Sequence, residues 1–263
     1  MTFVIAEAGI CHNGDLGQAM LLANAAKECG ADAVKYQMFN SQRLWGDSRI
    51  AHLELDEAEM ANVAWHCKAI GIEFMCTAFG VPEVGFLAPL VQRMKVASGC
   101  LERWDLLKAV RATKLPVILS TGMATIERTN AALNALGYYD PGTDPQPFSL
   151  LHCTSAYPCP VAEVNLAAME VLRHHHGHRC AVGYSDHTAG IIVALAAVAR
   201  GATVLEKHLT LDRQAEGPDH KASIEPKEFR IMVDAIRTVE AAVGTPEKRL
   251  QASEAAVAKA WYG

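Results

Sequence analysis

Residues 181–208 read AVGYSDHTAGIIVALAAVARGATVLEKH and contain a complete strand–helix–strand unit. The apolar run Ala181–Ser185 gives way to a polar break, and Ala189–Arg200 follows with helical spacing up to Gly201, a natural left-handed stop. A second apolar run, Thr203–His208, then resumes. Two strands joined through one helix lie parallel in the same sheet. Both finish on polar side chains: Ser185, Asp186 and His187 on the first, Glu206 and His208 on the second.

The same unit recurs along the chain. Further strands are expected at Phe3–Glu7, Ala33–Gln37, Glu73–Thr77, Met94–Ser98, Val117–Ser120 and Ser149–Thr154, which makes eight in all. Helices expected at Leu16–Cys29, Ala58–Ile70 and Ile126–Leu136 run into Gly30, Gly71 and Gly137, and Pro226–Val243 runs into Gly244. The tail from Pro246 reads as one further amphipathic helix. Strict βα alternation over 263 residues fits an α/β protein of the (β/α)8 TIM barrel type, whose usual length is about 250 residues. No Pro/Ser-rich linker interrupts the series, so residues 1–263 read as a single domain with a C-terminal extra helix. The first strand is not followed by a GxGxxG turn, which weakens the dinucleotide-binding alternative.

Composition narrows the class. With 51% hydrophobic and 20% charged residues the chain is an ordinary globular protein with a sizeable core. A net charge of −5 argues against nucleic acid or an anionic membrane as partner. The longest apolar stretch, Ile191–Ala199, is too short to span a bilayer, and the opening MTFVIAEAG has no basic segment of a signal peptide. The eight cysteines form no CxxC pair and lie mostly in apolar runs, as expected of buried reduced thiols in a cytoplasmic protein.

Active sites of such barrels collect at the C-terminal ends of the strands. Polar residues stand there in every unit: Glu7; Lys35 and Gln37; Thr77; Lys95 and Ser98; Ser120 and Thr121; His152 and Thr154; Ser185, Asp186 and His187; Glu206 and His208. Pairs two residues apart face the same side of a strand, so Lys35/Gln37, His152/Thr154, Ser185/His187 and Glu206/His208 are expected to look into the mouth together. Two lysines with several hydroxyls suit a phosphate and a carboxylate on one small substrate. His187 and His208, on adjacent strands, can share a divalent cation as neutral imidazoles, leaving positions open for Lewis-acid chemistry on a carbonyl. Glu7, set among Val4, Ile5 and Ala6, is a candidate for proton transfer because burial raises a carboxyl pKa. The turn Gly217–Pro218–Asp219–His220 after the last strand can hold Asp219 over the mouth. The histidines at 174, 175, 176 and 178 fall on the opposite side and are expected to form a solvated surface run; Tyr138–Phe148 is expected to be a surface loop.

The segments IAEAGICHNGD, DAVKYQMF, FMCTAFG, KVASG, ILSTGMATI, LLHCTSAYPCP, GYSDHT, LEKHLT and GPDHKASIEP resemble, in order, the motifs of the sialic acid synthase family, from about residue 3 to about residue 243. That family includes N-acetylneuraminate, legionaminate and pseudaminate synthases. The resemblance implies a (β/α)8 barrel that joins phosphoenolpyruvate to an amino sugar such as N-acetylmannosamine and releases phosphate. It implies a divalent metal, typically Mn2+ with Mg2+ or Co2+ as substitutes, bound by His187 and His208. By motif position, Lys35, Thr77, Lys95, Ser98, Ser120 and Ser185 would hold phosphoenolpyruvate, Glu7 would transfer the proton, and Gln37, Tyr157 and Asp219 would contact the sugar. A homodimer is expected on the same ground.

Three departures from the family pattern bear on the acceptor. Members usually carry a C-terminal antifreeze-like domain that reaches the partner's site, and this sequence is expected to lack it. An acidic residue commonly follows the SG of the fourth motif, where Cys100 stands, and Asn often precedes His12, where Cys11 stands. The alternatives are a synthase for another aldose, a Schiff-base aldolase using Lys35 or Lys95, and a non-catalytic phosphoenolpyruvate-binding protein.

Overall fold

A computed structural model describes residues 1–140 and 147–263. Its strands are β1 (Phe3–Gly9), β2 (Ala33–Met38), β3 (Glu73–Ala78), β4 (Met94–Val96), β5 (Val117–Ser120), β6 (Phe148–His152), β7 (Cys180–Asp186) and β8 (Val204–His208). They pair in parallel and in chain order, and β1 meets β8 from Phe3–Val204 to Glu7–His208, so the sheet closes into a barrel. Around it run α1 (Leu16–Glu28), α2 (Ser41–Trp45), α3 (Glu57–Ile70), α4 (Val81–Leu87), α5 (Trp104–Ala112), α6 (Ile126–Ala135), α7 (Ala168–His176), α8 (Ile192–Ala199) and α9 (Pro226–Val243), and then α10 (Ala255–Tyr262).

Local chemistry sets these boundaries. Asp15 accepts from Gln18 N at the start of α1, and Asp56 with Glu59 forms a reciprocal capping box on α3. Gly71 ends α3 at φ 75°, a left-handed conformation that glycine adopts without a Cβ penalty. None of the described helices is long and apolar enough to cross a membrane.

The barrel interior fixes which side chains reach the mouth. Ile5, Ala33, Met75, Ile118, Leu151 and Val204 pack together as one buried layer inside the strands. Alternation along each strand then sends Glu7, Lys35, Thr77, Ser120, Cys153 and Glu206, two residues further on, to the next layer up. A much larger apolar cluster fills the space between strands and helices. Where β7 crosses β8 the backbones approach so closely that a Cβ on Gly183 would lie 2.2 Å from the Val204 carbonyl oxygen.

Four expectations change. β4 stops at Val96, and Ser98 lies on a 3-10 turn, Ser98–Cys100, because the chain bends as it leaves the sheet. In β6 the inward residue is Leu151, so His152 points outward and bonds the Val164 carbonyl through Nε2. His176 is not a solvated residue: it is 2% exposed, with its ring edge-on to Tyr138, while His174, His175 and His178 are exposed as expected. The tail helix is confined to Ala255–Tyr262 and buries none of its residues. Of the expected loop Tyr138–Phe148, residues 141–146 lie outside the described residues.

Candidate active site

The mouth is a connected polar network built on that second layer. Lys35 Nζ lies 2.6 Å from Glu7 Oε2 and 3.5 Å from Glu206 Oε2, and donates to Thr77 Oγ1 at 3.2 Å. Lys95 Nζ lies 3.9 Å from Glu206 Oε2 and donates to Ser120 Oγ at 2.8 Å. Ser185 Oγ donates to Glu206 Oε1 at 2.8 Å, and Gln37 Nε2 donates to Glu7 Oε1 at 3.1 Å. Glu7, Lys35, Lys95, Thr77, Ser120, Ser185 and Glu206 are all buried, so four formal charges are held inside the barrel. Burial of charge is costly unless the groups pair, and here they pair in a ring.

The pairing is unequal. Burial alone would raise Glu206, but Lys35 and Lys95 outweigh it and hold the carboxyl near about 2. Glu7 moves the other way: burial raises it, Lys35 offsets part of the rise, and Glu206 adds to it. Lys35 is depressed by burial but raised overall by Glu206 and Glu7, so its ammonium is secure. Lys95 is lowered by burial, with Glu206 opposing. The network thus holds one carboxyl shifted down, one ammonium shifted up, a carboxyl shifted up and an amine shifted down.

Above this layer stand the imidazoles. His187 Nδ1 bonds the Thr154 carbonyl at 2.6 Å, which places the ring proton there and leaves the Nε2 lone pair beside Ser185 Oγ at 3.2 Å. Burial, reinforced by His208, lowers His187 to about 3, so the ring is neutral near pH 7. The two ring centroids are 5.6 Å apart, and Tyr157 lies tilted against His187 at 4.1 Å and meets His208 edge-on at 5.7 Å. His208 Nδ1 and Asp219 Oδ2 face each other at 3.8 Å; both are buried and neither has a hydrogen bond. A neutral imidazole lone pair beside unsatisfied buried polar atoms fits a divalent cation or a substrate hydroxyl. Among the described residues no group of three or more His, Cys, Asp or Glu is arranged to hold a metal ion.

Asp219 reaches the mouth because its loop is tied down. Ser223 Oγ donates to the Asp219 carbonyl at 2.7 Å, and His220 bonds Thr210 Oγ1 at 2.7 Å. A Cβ on Gly9 would lie 2.6 Å from Asp219 Oδ2, so the glycine opens the space that the carboxylate occupies. Ser98 stands apart from the ring; its Oγ pairs with Ser155 Oγ at 3.0 Å on the rim, packed over Gly122. Glu206, noted in the sequence only as a mouth residue, is the hub of the ring, and Ser155 was not singled out at all. Asp186, expected in the mouth, faces outward and pairs with Lys207. Cys100 is buried in the apolar core with its thiol raised by burial, and Cys11 contacts Ser223 Oγ at 3.6 Å beneath the Asp219 loop.

Fold and mouth together define a (β/α)8 barrel protein with a charged, imidazole-bearing C-terminal face. The model of the NeuB family matches residues 22–248, and the chain belongs to that family. It is 39% identical over 267 residues to the N,N'-diacetyllegionaminic acid synthase of Legionella pneumophila, covering 94% of this chain and 74% of that protein. Against the human N-acetylneuraminate-9-phosphate synthase it is 34% identical, covering 97% and 74%. The crystal structure of the N-acetylneuraminic acid synthetase of Leptospira borgpetersenii, in complex with citrate, superposes with a TM-score of 0.91 at 33% identity, covering 98% of this chain and 90% of that one.

Proposed function

We propose that this protein condenses phosphoenolpyruvate with the aldehyde form of an N-acylated amino sugar, forming a nonulosonic acid and releasing phosphate. The observation that carries the reading is the single buried ring in which Lys35 and Lys95 flank Glu206, one inward position below His208. Relatives named as synthases of legionaminic acid and neuraminate 9-phosphate support the product class.

In this reading Lys35, Lys95, Thr77, Ser98, Ser120 and Ser185 bind the phosphate and carboxylate of the donor, replacing water with fixed donors. Gln37, Tyr157 and Asp219 orient the sugar so that its aldehyde carbon meets C3 of the enol. Glu7, whose carboxyl is raised by burial, is the group that would exchange a proton with the reacting oxygens. His187 and His208 would hold a divalent cation, Mn2+ by the family resemblance, which when bound supplies a Lewis acid for the acceptor carbonyl. Water adding at C2 gives a tetrahedral centre, and Lys95 and Ser120 stabilise the phosphate as the C–O bond breaks. The buried, unpaired state of all eight cysteines suits a reducing compartment, and we assign the cytoplasm.

A second reading, a Schiff-base aldolase, is favoured by one observation, the lowered pKa of Lys95. Mass spectrometry after parallel incubations with phosphoenolpyruvate or with pyruvate, each with Mn2+ and a panel of amino sugars, separates the two. The synthase yields acceptor plus one three-carbon acid unit; a borohydride-trapped pyruvyl adduct on Lys95, with no condensation product, would overturn it.

A further inference from the structure

We propose that the buried ion pair Asp186–Lys207 is a positioning device for the two imidazoles of the mouth, setting the spacing of His187 and His208 and through it the affinity for a divalent cation. The cation half of this inference rests on the metal reading above.

The two residues precede the two imidazoles in sequence and are direct partners across β7 and β8. Alternation turns them to the outside of the barrel while His187 and His208 face in. Both side chains are fully buried, at 0% exposure. Lys207 Nζ donates to Asp186 Oδ2 at 2.9 Å and to the Thr188 carbonyl at 2.5 Å. Asp186 Oδ1 accepts from Thr188 N at 2.9 Å, from Thr188 Oγ1 at 2.8 Å and from Tyr184 OH at 3.4 Å. The carboxylate and the ammonium therefore hold the residues on both sides of His187, and the ammonium belongs to the residue before His208. One ion pair thus clamps both imidazole-bearing segments to each other.

Stability alone gives no reason for charges here. The other outward positions on these strands, Val182, Tyr184 and Leu205, belong to the apolar cluster. An apolar pair of similar volume would hold this layer as well or better, since a buried ion pair must offset the desolvation of both partners. What an apolar pair cannot do is fix directions. The five contacts around Asp186 and Lys207 set the backbone from 184 to 188 to one geometry, so that His187 Nδ1 meets the Thr154 carbonyl and Nε2 stays turned to Ser185. Hydrogen-bond partners of a ligating histidine, here the Thr154 carbonyl on His187, commonly alter metal affinity about 10–100-fold.

The test replaces the pair in one step by Asp186→Leu with Lys207→Met, a change that keeps the branching of the first side chain and the reach of the second and removes both charges, with Asp186→Asn as the milder variant. Mn2+ binding is read by the loss of the free-ion electron paramagnetic resonance signal, and stability by thermal unfolding. The expected result is Mn2+ affinity weakened about 10–100-fold in a protein that unfolds at or above the wild-type temperature, whereas a merely structural pair would move both together. In the metal-free protein the His187 ring N–H proton, bonded to Thr154, is expected to give a slowly exchanging resonance that the variants lose. Variants that bind Mn2+ as the wild type does and keep that resonance would overturn the proposal. Absence of Mn2+ binding by the wild type would instead remove the metal reading, and the ring resonance would then decide the positioning claim by itself.

Discussion

Replacing Glu206 by Gln keeps the shape of the side chain and removes the charge that two lysines share. In the native ring Glu206 Oε2 lies 3.5 Å from Lys35 Nζ and 3.9 Å from Lys95 Nζ. The carboxyl drops from an ordinary 4.5 to about 2, because the two lysines outweigh burial. That gap corresponds to about 3 kcal/mol of native-state stabilisation. The folded value is depressed, so this contribution is present above the ordinary pKa of 4.5 and is lost as pH falls towards about 2. E206Q is therefore expected to be about 3 kcal/mol less stable than wild type at pH 7, about half of that near pH 3, and equal to it near pH 2. For a barrel of this size the loss at pH 7 means a Tm lower by about 6–12 °C. Urea unfolding followed by circular dichroism at pH 7, 5 and 3 measures the difference directly. A gap below about 1 kcal/mol at pH 7, or one that stays constant across the series, would show that Glu206 is not the charge that balances the lysines.

Glu7 should respond in the opposite sense. Because burial and Glu206 raise its pKa, Glu7→Gln is expected to leave stability at pH 7–8 unchanged or higher while lowering kcat about 10²–10⁴-fold; a destabilised variant with normal turnover contradicts this. Gly122 has φ 48°, and a Cβ there would lie 2.3 Å from Ser98 Cβ and 2.5 Å from Ser155 Oγ. Gly122→Ala is accordingly expected to cost about 1–3 kcal/mol in thermal unfolding and to raise KM for phosphoenolpyruvate, and an unaltered KM would separate Ser98 from donor binding. All eight cysteines are buried, and burial carries Cys11 and Cys67 to about 12. Aromatic disulfide reagents at pH 8 should react with none of them until denaturant is added, and fast labelling of any one in the native protein would refute that.

The barrel could be read from the chain because its signals are local. Glycine stops such as Gly71 and strand ends such as Ser185 and Glu206 each declare themselves within a few residues. The ring at the mouth was only partly visible for the opposite reason. Glu206 becomes a hub because Lys35 comes from β2, Lys95 from β4 and Ser185 from β7, and no single strand carries that convergence. Phase was the other obstacle. Polar residues occupy both parities at the ends of β6 and β7, so His152 and Asp186 look like mouth residues until the interior layer, with Leu151 in it, fixes which parity faces in. His176 belongs to a polar run, but the connection after α6 brings Tyr138 over it, a contact between residues 38 apart that the run cannot reveal.

On the proposed function, one buried ring and two imidazoles together turn over phosphoenolpyruvate against an amino sugar. Phosphate release from phosphoenolpyruvate, followed continuously while acceptor and Mn2+ are each added and withdrawn, tests it most directly. Release is expected only when phosphoenolpyruvate, an N-acylated amino sugar and the cation are all present, abolished by chelator, restored by Mn2+, and absent from a folded His208→Ala variant. Release that survives the chelator and the loss of His208, or no release with any amino sugar despite tight phosphoenolpyruvate binding, would contradict it.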